Sequence, residues 1–173
     1  MSLFLEAFAA IRDFFESGGD VLWAILFVTI VMWTLIIERA WFFILDLPPK
    51  VREIREHWDD RDDKVSWYAR RVRERLVSHV SVESNRNLLV IKAMMAVLPL
   101  LGLLGTVTGM IKVFDVMTVM GTGNARAMAG GVSQATIPTM AGLVAALSGL
   151  YFVTWLDRKA TNEVEKVEDL LSH

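Results

Sequence analysis

Three long stretches without a charged side chain constrain this chain more than any other feature. They cover residues 21–37, 93–111 and 127–156. As α-helix the third stretch would cover about 45 Å, which exceeds the hydrocarbon core of a bilayer at about 30 Å. The first stretch reaches a spanning length once the apolar residues 40–45 are included. The sequence therefore predicts an all-α integral membrane protein with three transmembrane helices.

Composition narrows the possible functions. Hydrophobic residues make up 54% of the chain and charged residues 22%, and the net charge of -2 gives no reason to expect a nucleic-acid partner. There is no cysteine, and the three histidines are far apart in sequence. We therefore expect no metal, no cofactor and no enzymatic activity. A cleaved signal peptide is the alternative for the first stretch, but four of the five charged residues before it are acidic, where a signal peptide would be basic.

Basic residues are unevenly distributed between the segments that join these stretches. Residues 46–86 hold ten Lys or Arg, whereas residues 1–20 hold only Arg12 and residues 119–130 hold only Arg126. Basic loops tend to remain on the cytoplasmic side of a membrane. The pattern therefore predicts that the N-terminus lies outside and that the long loop and the C-terminal tail lie in the cytoplasm.

Helical periodicity in the joining segments completes the predicted layout. Apolar residues at helical spacing before Gly18 predict an amphipathic helix on the outer membrane surface. A second such pattern in the cytoplasmic loop comprises Val65, Tyr68, Val72, Leu76 and Val80. The expected order is an outer amphipathic helix (1–18), transmembrane helix 1 (20–45), a cytoplasmic loop with an amphipathic helix (46–87), transmembrane helix 2 (88–118), an outer turn (119–126), transmembrane helix 3 (127–156) and a cytoplasmic tail extending it (157–173).

The second and third stretches carry small residues where the first carries bulky ones. Trp23, Phe27 and Trp33 suit a first helix that faces lipid. Small residues on one face allow helix backbones to approach closely, so the second and third helices should pack against protein. The expected packing residues are Gly102, Gly105, Gly109, Gly142 and Gly149.

Polar side chains gather in the same two stretches. The candidates for lining a narrow polar pathway that holds water or a partner's charge are Thr106, Thr108, Ser133, Gln134, Thr136, Thr139 and Ser148. Bonding of each hydroxyl to a carbonyl of its own helix remains an alternative. No carboxylate lies in the middle of a stretch, so a proton pathway would need an acid from another subunit.

Ionisable residues stand near the ends of the stretches. Lys112 and Asp115 lie one helical step apart and are expected to pair. Glu38 and Arg39, at the inner end of the first stretch, are expected to extend their charged groups towards water.

Two segments resemble a known family. Residues 99–111 (PLLGLLGTVTGMI) and 130–148 (GGVSQATIPTMAGLVAALS) are similar to the signature spans of ExbB, TolQ and MotA proteins. The patterns Gly-Thr-Val-x-Gly and Thr-x-x-Gly-Leu-Val-Ala carry the likeness, and the family often has a Glu-Arg pair like Glu38–Arg39. Three spans favour ExbB or TolQ over MotA, which has four, and the small size resembles compact ExbB subunits.

The resemblance implies a homopentamer in the bacterial inner membrane, with its outer side in the periplasm. The second and third helices would line a pore around the single-span helices of an ExbD-like partner, whose aspartate takes the proton. A TonB-like transducer would pass the energy to outer-membrane transport. The family's pore threonines fall at Thr106 and Thr139, and ExbB has a glutamate where this chain has Gln134. A TolQ-like role in envelope maintenance and a non-conducting membrane scaffold remain alternatives.

Overall fold

The structure is a computed structural model that describes residues 6, 9, 12, 14–16, 18–61, 63–64, 66–120 and 125–171. All regular structure in these residues is helical. The outer amphipathic helix predicted for residues 1–18 falls largely outside them. In chain order the elements are α1 (Asp20–Trp41), a π-helical segment (Phe42–Asp46), α2 (Leu47–Asp59), α3 (Trp67–Asn85), α4 (Leu88–Met120) and α5 (Ala125–Leu170).

Three stretches of the described residues are long and apolar enough to cross a membrane. They are Asp20–Asp59, Trp67–Val119 and Met128–Leu170. Each covers all or nearly all of one uncharged stretch, so the prediction of an all-helical chain with three potential spans is confirmed. α5 continues without interruption into the charged C-terminal residues.

The ends of the helices follow from local chemistry. Gly19 adopts a left-handed conformation (φ 67°), which a residue without Cβ takes at little cost, and α1 begins at the next residue. The hydroxyl of Ser66 accepts a hydrogen bond from the backbone N–H of Ala69 at 3.1 Å and so caps α3. Asn87, also left-handed (φ 63°), joins α3 to α4.

The region between the first two spans contains two helices, whereas the sequence pattern indicated one. α2 accommodates Pro48 and Pro49 because they occupy its first turn, the part of a helix that tolerates proline best. The buried face of α3 also differs from the predicted one. Tyr68 is 63% exposed and Ala69 is buried in its place, whereas Val80 is buried as predicted.

Contacts divide the chain into two compact units. The first comprises Met1–Met32 and Ala93–Leu150, and the second comprises Trp33–Lys92 and Tyr151–His173. Apolar side chains form a core in each. Buried in the first unit are Leu22, Ile25, Met32, Leu98, Val113, Ala135 and Ala146, and in the second Ile36, Phe42, Phe43, Leu47, Trp58, Val80, Ile91, Leu156 and Val167.

Candidate functional site

Glycines bring the backbones of α4 and α5 into direct contact in the first unit. A Cβ built on Gly102 would lie 2.9 Å from the Cα of Thr139, and one on Gly142 would lie 2.5 Å from the carbonyl oxygen of Leu98. Carbon atoms do not approach backbone atoms so closely, and backbone cannot rotate away as a side chain can. Any larger residue at either position would therefore have to push the two helices apart.

Two further glycines of α4 face α5 in the same way. A Cβ on Gly109 would lie 2.5 Å from the Cα of Ala135, and one on Gly105 would collide with the ring of Pro138. Gly149 differs, because it faces the terminal methyl group of a methionine on α1, at 2.9 Å. That flexible side chain can move, so the glycine at 149 is less constrained than the others.

The hydroxyls of Thr106 and Thr139 bond to neighbouring carbonyl groups of α4. Thr139 Oγ1, on α5, donates to the carbonyl oxygen of Gly102 at 2.9 Å, which joins the two helices. Thr106 Oγ1 donates to the carbonyl oxygen of Leu103 in its own helix at 2.6 Å. The close approach at Gly102 therefore brings the two threonines to adjacent points on α4.

These hydrogen bonds decide what the two hydroxyls can offer to a third group. A hydroxyl has one proton, and Thr106 and Thr139 both donate theirs to a carbonyl. Each oxygen keeps lone pairs, and both side chains are partly exposed. The pair can therefore accept hydrogen bonds from water or from a protonated carboxyl group, whereas an ionised carboxylate finds no free donor there.

Gln134 lies apart from the two threonines. It lines a cavity of about 210 Å³ together with Thr108, Lys112 and residues 18–21 at the start of α1. Lys112 Nζ and Gln134 Nε2 each lie 3.7 Å from the point where a Cβ would project from Gly19. These three candidates for a polar pathway therefore occupy two places, one at the α4–α5 contact and one in this cavity.

The predicted ion pair between Lys112 and Asp115 is wrong. In the part of the chain that the structure describes, Lys112 takes part in no ion pair, and its ammonium group lines the cavity instead. The sequence held a signal for this orientation. Lys112 follows Gly105 and Gly109 at helical spacing, so it lies on the same side of α4 as the glycines that contact α5.

In the second unit, Arg39 is buried and does not extend towards water as expected. Its Nε and Nη2 each donate to the Glu38 carboxylate at 2.8 Å, and its Nη1 donates to the carbonyl oxygen of Glu83 at 3.0 Å. The guanidinium also lies 4.7 Å from the ring centre of Phe42. The Glu-Arg pair therefore joins the end of α1 to the end of α3.

Comparison with known proteins gives a consistent result. A profile of the MotA/TolQ/ExbB proton channel family matches residues 49–169. A Synechocystis protein named biopolymer transport protein ExbB-like 1 is 29% identical over 182 residues, covering 86% of this chain and 71% of its own. A Helicobacter pylori protein of the same name is 24% identical over 169 residues, covering 88% of this chain and 89% of its own. No solved structure matches the chain.

Proposed function

Because this chain belongs to the MotA/TolQ/ExbB proton channel family, we propose that it is an ExbB-like subunit of a proton-driven motor complex in a bacterial inner membrane. An ExbD-like single-span partner supplies the acid that carries the proton. A TonB-like transducer then passes the energy to transport across the outer membrane. Family membership supports the channel role, and the two partners follow from the resemblance of the signature segments.

The observation that carries this proposal is the pair of hydroxyl acceptors at the α4–α5 contact. Thr106 and Thr139 each donate their hydroxyl proton to a carbonyl there, so only their lone pairs remain to accept hydrogen bonds, while residues 93–111 and 127–156 contain no Asp or Glu. A subunit with acceptors and no titrating group can stabilise an acid but cannot carry the proton itself. It therefore suits a partner whose carboxyl group passes along the subunit.

In this mechanism the partner's carboxyl group crosses the apolar segment in its protonated form. The protonated carboxyl donates to Thr106 or Thr139, whereas the ionised form finds no free hydroxyl donor at these two residues and is disfavoured by the apolar surroundings. The proton is thus retained until the acid leaves this segment. One charge crossing a potential of 100 mV releases about 2.3 kcal/mol, which is comparable with one or two hydrogen bonds at about 1 kcal/mol each.

Exposed apolar side chains on α4 and α5 support an oligomer. Leu103 and Val107 on α4, and Met140 and Leu147 on α5, are each more than half exposed in a single copy. Lipid or further copies of the chain must cover such surfaces in a membrane. We propose a homopentamer in which α4 and α5 face inward, while the exposed aromatic residues of α1, such as Phe27, face lipid.

Replacement of Thr106 by valine tests the proposal most directly. Valine keeps the shape and removes the hydroxyl, and the lost hydrogen bond lies within α4, so the fold should persist. We expect gradient-driven uptake, measured in cells with matched expression, to fall about tenfold. Thr106→Ser should retain part of it. The control is Thr118→Val on the same helix, whose hydroxyl bonds to the Asp115 carbonyl oxygen at 2.8 Å, and it should leave uptake unchanged.

Two further variants refine this test. Thr139→Val also removes the bond to Gly102, so its assembly must be checked by size-exclusion chromatography before uptake is compared. Gln134→Ala should have a milder effect than either threonine variant, because an amide cannot carry the proton. Full uptake in the Thr106→Val, Thr139→Val double variant would contradict the proposal and favour a non-conducting scaffold. Co-purifying partners would separate an ExbB-like role from a TolQ-like one.

A further inference from the structure

The cavity beside Lys112 contains two charged groups of opposite sign that do not pair. Lys112 and Asp20 both line it, yet among the described residues neither takes part in an ion pair. Within the described part of the chain, the side-chain amide of Gln134 also has no hydrogen-bond partner. The cavity of about 210 Å³ therefore has an ammonium group and a free amide beside Gly19, and the acidic residue Asp20 is also part of its lining.

The sequence places Lys112 at a boundary of the hydrocarbon core. The uncharged residues 93–111 that precede it would cover about 28 Å as α-helix, close to the core thickness of about 30 Å. An unpaired ammonium group at this depth is costly unless an anion meets it. The anion that every bilayer leaflet provides at this level is the phosphate of a lipid head group.

We propose that this cavity binds the zwitterionic phosphoethanolamine head group of a phospholipid. The phosphate accepts hydrogen bonds from Lys112 Nζ and Gln134 Nε2, which both lie next to Gly19. The ammonium group of the lipid lies against the carboxylate of Asp20. Thr108 already donates to the carbonyl oxygen of Gly105 at 3.0 Å, so its hydroxyl is left to accept a hydrogen bond from that ammonium group.

Together, the unpaired lysine and aspartate make the cavity selective for one kind of lipid head group. If the cavity held only Lys112, any anionic lipid would serve, and a lipid with net negative charge would bind best. The Asp20 carboxylate attracts the ammonium group of phosphatidylethanolamine, and phosphatidylglycerol has a neutral glycerol in its place. We therefore expect dioleoyl phosphatidylethanolamine to bind more tightly than dioleoyl phosphatidylglycerol.

Native mass spectrometry of the delipidated, detergent-purified full-length protein tests the proposal, with those two lipids and inorganic phosphate as probes. Lys112→Gln should weaken binding of both lipids about tenfold, as expected for one lost charge-assisted hydrogen bond. Lys112→Arg should retain it. The matched control is Lys92→Gln, which removes an equal charge from α4 at a lysine that is paired with Asp157 at 2.7 Å, and it should leave lipid binding unchanged.

Asp20→Asn distinguishes a zwitterion site from an internal ion pair. The proposal expects this variant to bind both lipids and to lose the preference for phosphatidylethanolamine. If Asp20→Asn weakens both lipids as Lys112→Gln does, the two residues act as a pair and the proposal is wrong. It is also overturned if Lys112→Gln binds like the parent protein or if Lys112→Arg loses binding as well. Binding of inorganic phosphate as tight as that of lipid would show a site for a free ion instead.

Discussion

Arg39 carries a full charge although only 3% of its surface is exposed. The charge is tolerated because the Glu38 carboxylate takes two of its hydrogen bonds and the Glu83 carbonyl takes a third. Glu38 itself keeps 47% of its side chain exposed, so the carboxylate remains partly hydrated. The pair therefore brings only one of its two charges out of water, which limits the cost of burial.

Removal of Glu38 should destabilise the protein more than removal of an exposed acid. Glu38→Ala leaves the buried guanidinium without its counter-charge, which should cost about 2 kcal/mol and lower the unfolding midpoint by about 4–8 °C. The control is Asp59→Ala, whose exposed pairs with Arg55 and Lys64 are both at 3.5 Å and should contribute less than about 1 kcal/mol. Thermal unfolding in detergent measures both. Equal shifts would mean that burial of Arg39 adds nothing to this pair.

At the scale of helices, the contact between α4 and α5 depends on glycines that cannot be replaced without moving backbone. Gly102→Ala and Gly142→Ala should each cost about 1–3 kcal/mol through overpacking. Gly149→Ala should cost less, because the methionine facing it can rearrange. The control is Gly130→Ala on α5, where a Cβ would meet nothing within 4 Å and higher helix propensity should stabilise by up to about 1 kcal/mol.

Thermal unfolding and size-exclusion chromatography of these four variants would test the assignment. The expected order of stability is Gly130→Ala, then Gly149→Ala, then the other two. If Gly130→Ala unfolds at as low a temperature as Gly142→Ala, the loss of stability is a general effect of replacing glycine in these helices and does not come from the contact between α4 and α5.

Sequence periodicity predicted elements better than it predicted the neighbours of individual side chains. The length of the uncharged stretches was enough to predict three membrane-spanning helices, because apolar runs of this length are typical of helices that cross a bilayer. The helix α2 was missed, since two consecutive prolines indicate a break unless they fall in the first turn. Lys112 was paired with the wrong group because spacing along one helix reports neighbours on that helix only. Its true surroundings include the start of α1, about 90 residues earlier in the sequence.

At the scale of the whole molecule, orientation in the membrane remains a prediction from the basic residues. Single cysteines at Ser2 and at Ser78, which is exposed on α3, would report it in intact cells. With a membrane-impermeant thiol reagent we expect Ser2→Cys to be labelled from outside and Ser78→Cys only after the cells are opened. The chain has no native cysteine, so no background labelling competes. Labelling of Ser78→Cys in intact cells would mean that the topology is the reverse of the predicted one.

The π-helical segment Phe42–Asp46 bears on how a chain like this can change length during evolution. In a regular α-helix, Arg39 and Leu47 would point about 80° apart, whereas one extra residue in the turn brings them within about 20°. Both are buried, so the wide turn absorbs a residue while the flanking faces keep their direction. An insertion at this point thus remains local. Selection could accept it without a second, compensating change elsewhere in the gene.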